Sequence, residues 1–148
     1  MATMTTHPDD TKSVAAWFEQ WGPMVADQAF ESARTLFSED VVGFGTFMDA
    51  VEGLDALEAR QWRTIWPTID GFRFATESLR VFVSNDRLLA TAMVVWESTG
   101  FDTRGVSYPR PGRTTAVLAR DSLAAPWLGV HTHFSQFPAE DQRSFGKP

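Results

Sequence analysis

The sequence predicts an α+β domain, a curved antiparallel sheet covered by three N-terminal helices. Three observations carry this. Apolar residues recur at helical spacing up to Phe37, and again from Leu54 to Trp66. From Phe72 onward, runs rich in Phe, Val and Thr take over. Turn residues, Ser84-Asn85-Asp86 above all, separate the longest of those runs into a hairpin. Helices first and strands last place the helices on one face of a sheet.

The first helix is expected from Ser13, because Val14, Trp17, Phe18 and Trp21 fall on one helical face; Gly22-Pro23 interrupts it. A second carries Ala26, Phe30, Ala33 and Phe37 on one side. Asp27 and Glu31 lie early in it and Arg34 late, the order the helix dipole favours. Ser38-Glu39-Asp40 reads as a turn and Val41 to Thr46 as a short strand. A third helix runs from Leu54 to Trp66 and stops at Pro67. Phe72 to Val83 and Arg87 to Glu97 form the hairpin, Gly100 to Gly112 a loop, and Arg113 to Arg120 a strand. The segment Trp127 to Ser135 closes the fold. One domain over residues 13–137 is expected, with a flexible tail over 1–12 and a polar tail over 138–148.

The chain has 148 residues, 43% of them hydrophobic, which suits one folded domain rather than a disordered one. Its net charge of −6 opposes nucleic acid and anionic membranes as partners. There is no cysteine, so disulfides, thiolate nucleophiles and Cys-ligated zinc are excluded. No signal peptide and no membrane-length apolar run is visible, so a cytoplasmic protein is expected. Six Trp and twelve Phe against one Tyr supply core, and also suit a pocket for an apolar or aromatic ligand.

Four segments resemble the nuclear transport factor 2-like superfamily, which includes SnoaL-like and ketosteroid isomerase-like proteins. They are Phe37-Ser38-Glu39-Asp40-Val41, Gly53-Leu54-Asp55-Ala56-Leu57, Gly112 to Leu118 and Trp127 to Ser135. The last is also similar to the end of the calcium/calmodulin-dependent kinase II association domain, through Val130, His131, His133 and Ser135. The resemblance covers about residues 13–137. It implies a cystatin-like cone, a bent sheet around a deep cavity closed by the third helix, and homodimers formed through the open face of the sheet. It does not carry over the isomerase chemistry. Where ketosteroid isomerases hold their basic aspartate, this chain has Gly45 and Thr46; where they hold an acid, it has Ala116. The only tyrosine, Tyr108, lies in a loop, and the pocket arginine of the kinase domain is missing near Thr115 and Ala116.

Candidate site residues follow from the residues themselves. His131 and His133 share one face of a strand and are candidates for acid/base chemistry, an anion site or metal ligation. The alternative is that both pack in a dimer interface. Their neighbours Leu128, Val130, Thr132 and Phe134 are more apolar and would meet the helices, while one bulge would reverse the assignment. Zinc needs further ligands, and none shows the spacing, so neither metal nor cofactor is expected. On the third helix Glu58 and Gln61 fall inside the apolar stripe of Leu54, Leu57, Trp62, Ile65 and Trp66. A buried Glu58 would have a raised pKa and serve as an acid; the other reading lets both reach water. Phe44, Trp62 and Trp96 are candidate pocket walls. Arg104, Arg110 and Arg113 can gather an anionic ligand, and Arg113 is the ligand contact expected among them. No Gly-rich phosphate loop, nucleophile elbow or HExxH motif occurs. The function expected is a small-molecule pocket protein, an isomerase, cyclase or hydrolase of SnoaL-like type; the alternative is a non-catalytic ligand-binding or dimerisation module.

Overall fold

The computed structural model describes residues 6–148. Helix α1 spans Pro8–Ala26 and α2 Phe30–Arg34. A hairpin follows, β1 (Phe37–Gly45) and β2 (Met48–Glu52). The third helical segment is composite: α3 (Leu54–Leu57), a π-helical turn (Glu58–Trp62), α4 (Arg63–Ile65) and a 3-10 turn (Trp66–Thr68). Then come β3 (Asp70–Val83), β4 (Leu89–Phe101), β5 (Ser107–Pro109), β6 (Gly112–Ala119) and β7 (Leu128–Gln136). A short 3-10 turn at Glu140–Gln142 lies in an exposed C-terminal stretch.

The sheet order is β2-β1-β7-β6-β4-β3, with β5 beside β4. It is α+β, as expected, but the sheet is mixed: β7 enters between β6 and β1 and runs parallel to β1. Two of the helical segments precede the sheet, and the third follows the first hairpin.

Three further expectations are corrected. The first helix begins at Pro8, not Ser13, so part of the expected flexible tail over 1–12 is helical; its first five residues lie outside the described ones. The helix also runs through Gly22-Pro23. Proline deprives the residue four back of a hydrogen bond, but here that residue is the exposed Glu19. Ser38-Glu39-Asp40 lies inside β1, where the pairing with β7 is irregular between Phe37 and Val42.

One apolar stripe of α1 explains its docking. Val14, Trp17, Phe18 and Trp21 are each 3% exposed or less. Trp21 packs on Phe37, Phe74 and Phe134, with ring centroids 4.9–5.5 Å apart. The sheet bends where β3 pauses: Ala75 pairs with Val95, but the next pair is Arg80 with Met93. Ser78 repairs the interrupted ladder. Its Oγ accepts the Val95 N–H at 3.0 Å and donates to the Ala75 carbonyl at 2.7 Å.

Candidate functional site

Between the composite helix and the bend of the sheet lies an aromatic hollow. Its walls are Val25, Thr46, Gln61, Trp62, Ile65, Trp66, Ile69, Phe72, Trp96, Arg110 and Phe134. The cavity volume is about 30 Å³.

Local structure sets each wall residue. A π-helical turn inserts an extra residue, so the adjacent Gln61 and Trp62 both reach the interior, at 6% and 1% exposure. Trp62 stacks on Trp66 with centroids 4.9 Å apart and planes 17° apart, and Trp66 stacks on Phe30. Gln61 approaches β1 at Gly45, where a Cβ would collide with its amide nitrogen. Its Nε2 donates to the Phe44 carbonyl at 3.3 Å, while its Oε1 is buried with no protein partner. Trp62 Nε1 and Trp96 Nε1 are likewise buried and unpartnered. Buried polar atoms are normally paired; besides these three, His7, Trp21, Thr114 and Thr132 carry unpartnered ones away from the hollow.

Arg110 is the one charged residue of the wall. Pro109 and Pro111 flank it and restrict the backbone to extended conformations. Ser98 clamps it twice, accepting the Arg110 N–H on its carbonyl (2.8 Å) and donating its hydroxyl to the Arg110 carbonyl (2.6 Å). The guanidinium is carried inward, 5.4 Å from the Trp96 ring centroid, and Nη2 donates to Thr46 Oγ1 at 3.0 Å. The residue is only 6% exposed, and among the described residues it has no carboxylate partner. Burial pushes its pKa down from the usual arginine range.

The structure brings together three of the expected site residues, Gln61, Trp62 and Trp96. It does not bring the others to them. His131 pairs with Val117 and His133 with Thr115, whereas Thr132 and Phe134 sit opposite Ala116 and Thr114, which face the helices. The register shift falls at Val130, before the histidines, and leaves both imidazoles on the outer face of the sheet. Since a carbonyl can only accept, the His131 Nδ1–H donates to Val42 O, at 2.7 Å. Phe44 lies on the same outer face, edge-on to both imidazoles at 4.8 and 5.2 Å. Arg113 is outside too, exposed, with its Nε donating to Ser135 Oγ at 3.1 Å.

Glu58 is corrected in its chemistry as well. It lies between Arg63 (2.7 Å) and Arg34 (3.0 Å), on the side of the helix away from the hollow. The Arg63 bond, which outweighs burial, and then the Arg34 bond hold its carboxyl below the usual range, so it stays ionised rather than becoming an acid.

Sequence reasoning named Arg110 only as one of three arginines able to gather an anion, and missed Thr46, Phe72 and Phe134 as wall residues. The available signal was the Pro-Arg-Pro frame, which presents an arginine from a rigid backbone rather than from a pliant loop. No wall residue is a carboxylate, imidazole or thiol, so the wall offers no metal-ligand set and no side-chain base. What it can do is sequester an apolar ring and hold a negative group against a desolvated cation.

The SnoaL-like domain family matches residues 14–140. The chain belongs to that family. Among solved structures, it is similar to a ketosteroid isomerase-like protein from Erwinia carotovora. The identity is 16% and the TM-score 0.72, over 90% of this chain and 100% of that one. A nuclear transport factor 2-like superfamily protein from Salmonella enterica shares 17% identity, with TM-score 0.73, over 94% and 98%. An NTF2-like protein from Pseudomonas putida shares 22%, with TM-score 0.72, over 99% and 100%. At these identities the likeness concerns the fold. A comparison with curated proteins finds no match. Among the described residues, no helix of this SnoaL-like protein is long and apolar enough to cross a membrane.

Proposed function

We propose that this SnoaL-like protein binds a small molecule with a flat apolar or aromatic body in the helix-covered hollow, as a cytoplasmic homodimer. The observation that carries the reading is the set of buried, unpartnered polar atoms, Gln61 Oε1, Trp62 Nε1 and Trp96 Nε1, on residues that line an otherwise aromatic hollow. A ligand carbonyl or hydroxyl would satisfy them while its ring lies against Trp62 and Trp96. The absence of a side-chain base from the described wall favours binding over proton-transfer catalysis. An isomerase, cyclase or hydrolase role is the second reading; the desolvated Arg110, able to stabilise developing negative charge, favours it. Small aromatic compounds should raise the melting temperature of the wild type, and Trp62→Ala should lose most of that shift. Equal shifts in both proteins would remove Trp62 from the site.

The dimer rests on the outer face of the sheet. Phe44, 37% exposed, forms an aromatic patch there with His131 and His133. Phe44→Glu should turn a dimer into a species of about the 16.5 kDa chain mass in sedimentation. A wild type that already sediments as a monomer contradicts the dimer.

A further inference from the structure

We infer that the ligand of the aromatic hollow is a single-ring monocarboxylate whose carboxylate pairs with Arg110. This rests on the reading of the hollow as a ligand site.

Arg110 stands apart from the other well-buried arginine. Arg120, whose side chain is 5% exposed, reaches Asp10 at 2.8 Å. The partly exposed Arg34 contacts both Asp55 and Glu58. Acids outnumber bases in this chain, 19 to 13, yet none of the described acids is placed against Arg110. A guanidinium has five N–H donors, and the one side-chain hydrogen bond found here goes to Thr46. A buried charge is stable when paired, so the remaining donors define what is missing: a planar anion that can take two parallel N–H bonds.

The surroundings narrow the class further. One cation in an apolar wall balances one negative charge; a phosphate dianion would keep an uncompensated charge in the hollow. The Trp96 indole beside the guanidinium adds an apolar wall for a ligand ring. A cavity volume of about 30 Å³ is small against the usual ligand pocket, which limits the body to a single ring.

Benzoate and phenylacetate, titrated against benzamide and phenylacetamide, test this on the full chain. Indole N–H resonances in NMR are the readout, with Trp62→Ala as the assignment control. In the wild type each acid should bind at least tenfold more tightly than its amide. Arg110→Met should bring the acid down to the affinity of the amide. Equal binding of acid and amide by the wild type overturns the carboxylate assignment while leaving the pocket standing. So does an acid that keeps its affinity in Arg110→Met. Failure of all four compounds overturns the pocket and the assignment together. The wild-type ratio needs no variant, so the test holds even where Arg110→Met does not fold. Thr46→Val, which removes the hydroxyl that Nη2 contacts, should then weaken the acids more than the amides.

Discussion

Asp10→Ala is expected to cost about 3–5 kcal/mol of stability, because it leaves the buried Arg120 and the partly exposed Arg87 without their anion. The Asp10 side chain is 2% exposed. Arg87 grips it with two bonds, Nε at 2.7 Å and Nη2 at 2.9 Å, and Arg120 adds Nη2 at 2.8 Å. The Arg120 Nε also donates to the Arg87 carbonyl at 3.0 Å, so the cluster ties the start of α1 to the β3–β4 turn and the end of β6. Arg120 lies over the Trp127 ring at 4.0 Å, and Trp127 Nε1 donates to Ser13 Oγ at 2.8 Å, extending the tie to the approach of β7. Urea denaturation at neutral pH measures the loss; a change below about 1 kcal/mol would put the cluster with ordinary surface ion pairs.

The same carboxylate predicts an acid response. The Arg87 hydrogen bond, opposed by burial and helped by Arg120, lowers the Asp10 pKa below its ordinary 3.8. Its contribution is therefore complete above about pH 4, the unfolded-state value, and disappears as pH falls through the lower folded value. Asp10→Asn should show a shallower loss of stability below pH 4 than the wild type.

This cluster also marks where sequence reading stops. Asp9 and Asp10 in a polar N-terminus resemble a tail, because nothing local says that one of them is buried. The partners of Asp10 lie 77 and 110 residues away, and only the folded sheet brings them in. Helical and strand elements carried by periodicity were legible, since the stripe of Val14, Trp17, Phe18 and Trp21 is a local property of the chain. Trp62, Gln61 and Trp96 were legible for the same reason, each falling on an inward register of its element.

Arg110 was not legible, because its direction depends on β5 folding back along β4 and on the clamp by Ser98. The histidines lie between these cases. Alternation places His131 and His133 on one face, and they are on one face. Which face is decided by the pairing of Thr132 with Ala116, a long-range register. Glu58 shows a different failure: the helical stripe places it near the interior, but Arg34 and Arg63 hold it outside and ionised.

Gly112→Ala is expected to cost about 3 kcal/mol, at the upper end for overpacking. An alanine inside a strand normally gains stability over glycine. At Gly112 a Cβ would instead run into the six-membered ring of Trp96 and the carbonyl oxygen of Ser135. Trp96 is 1% exposed and packed against Phe72 and Phe134, so the indole can yield only toward the hollow. The carbonyl belongs to β7, which pairs with Gly112 in the sheet. The displaced indole is the one beside the Arg110 guanidinium, so the substitution should also reduce the preference for carboxylate over amide. Gly100→Ala is the matched control. Its Cβ would meet the Tyr108 ring, which is 45% exposed and can swing into water, so less than about 1 kcal/mol should be lost. Comparable losses at the two glycines would show that Trp96 yields, and that the hollow is softer than its packing implies. A large loss at Gly112 alone means that one rigid indole both holds the sheet and shapes the ligand site.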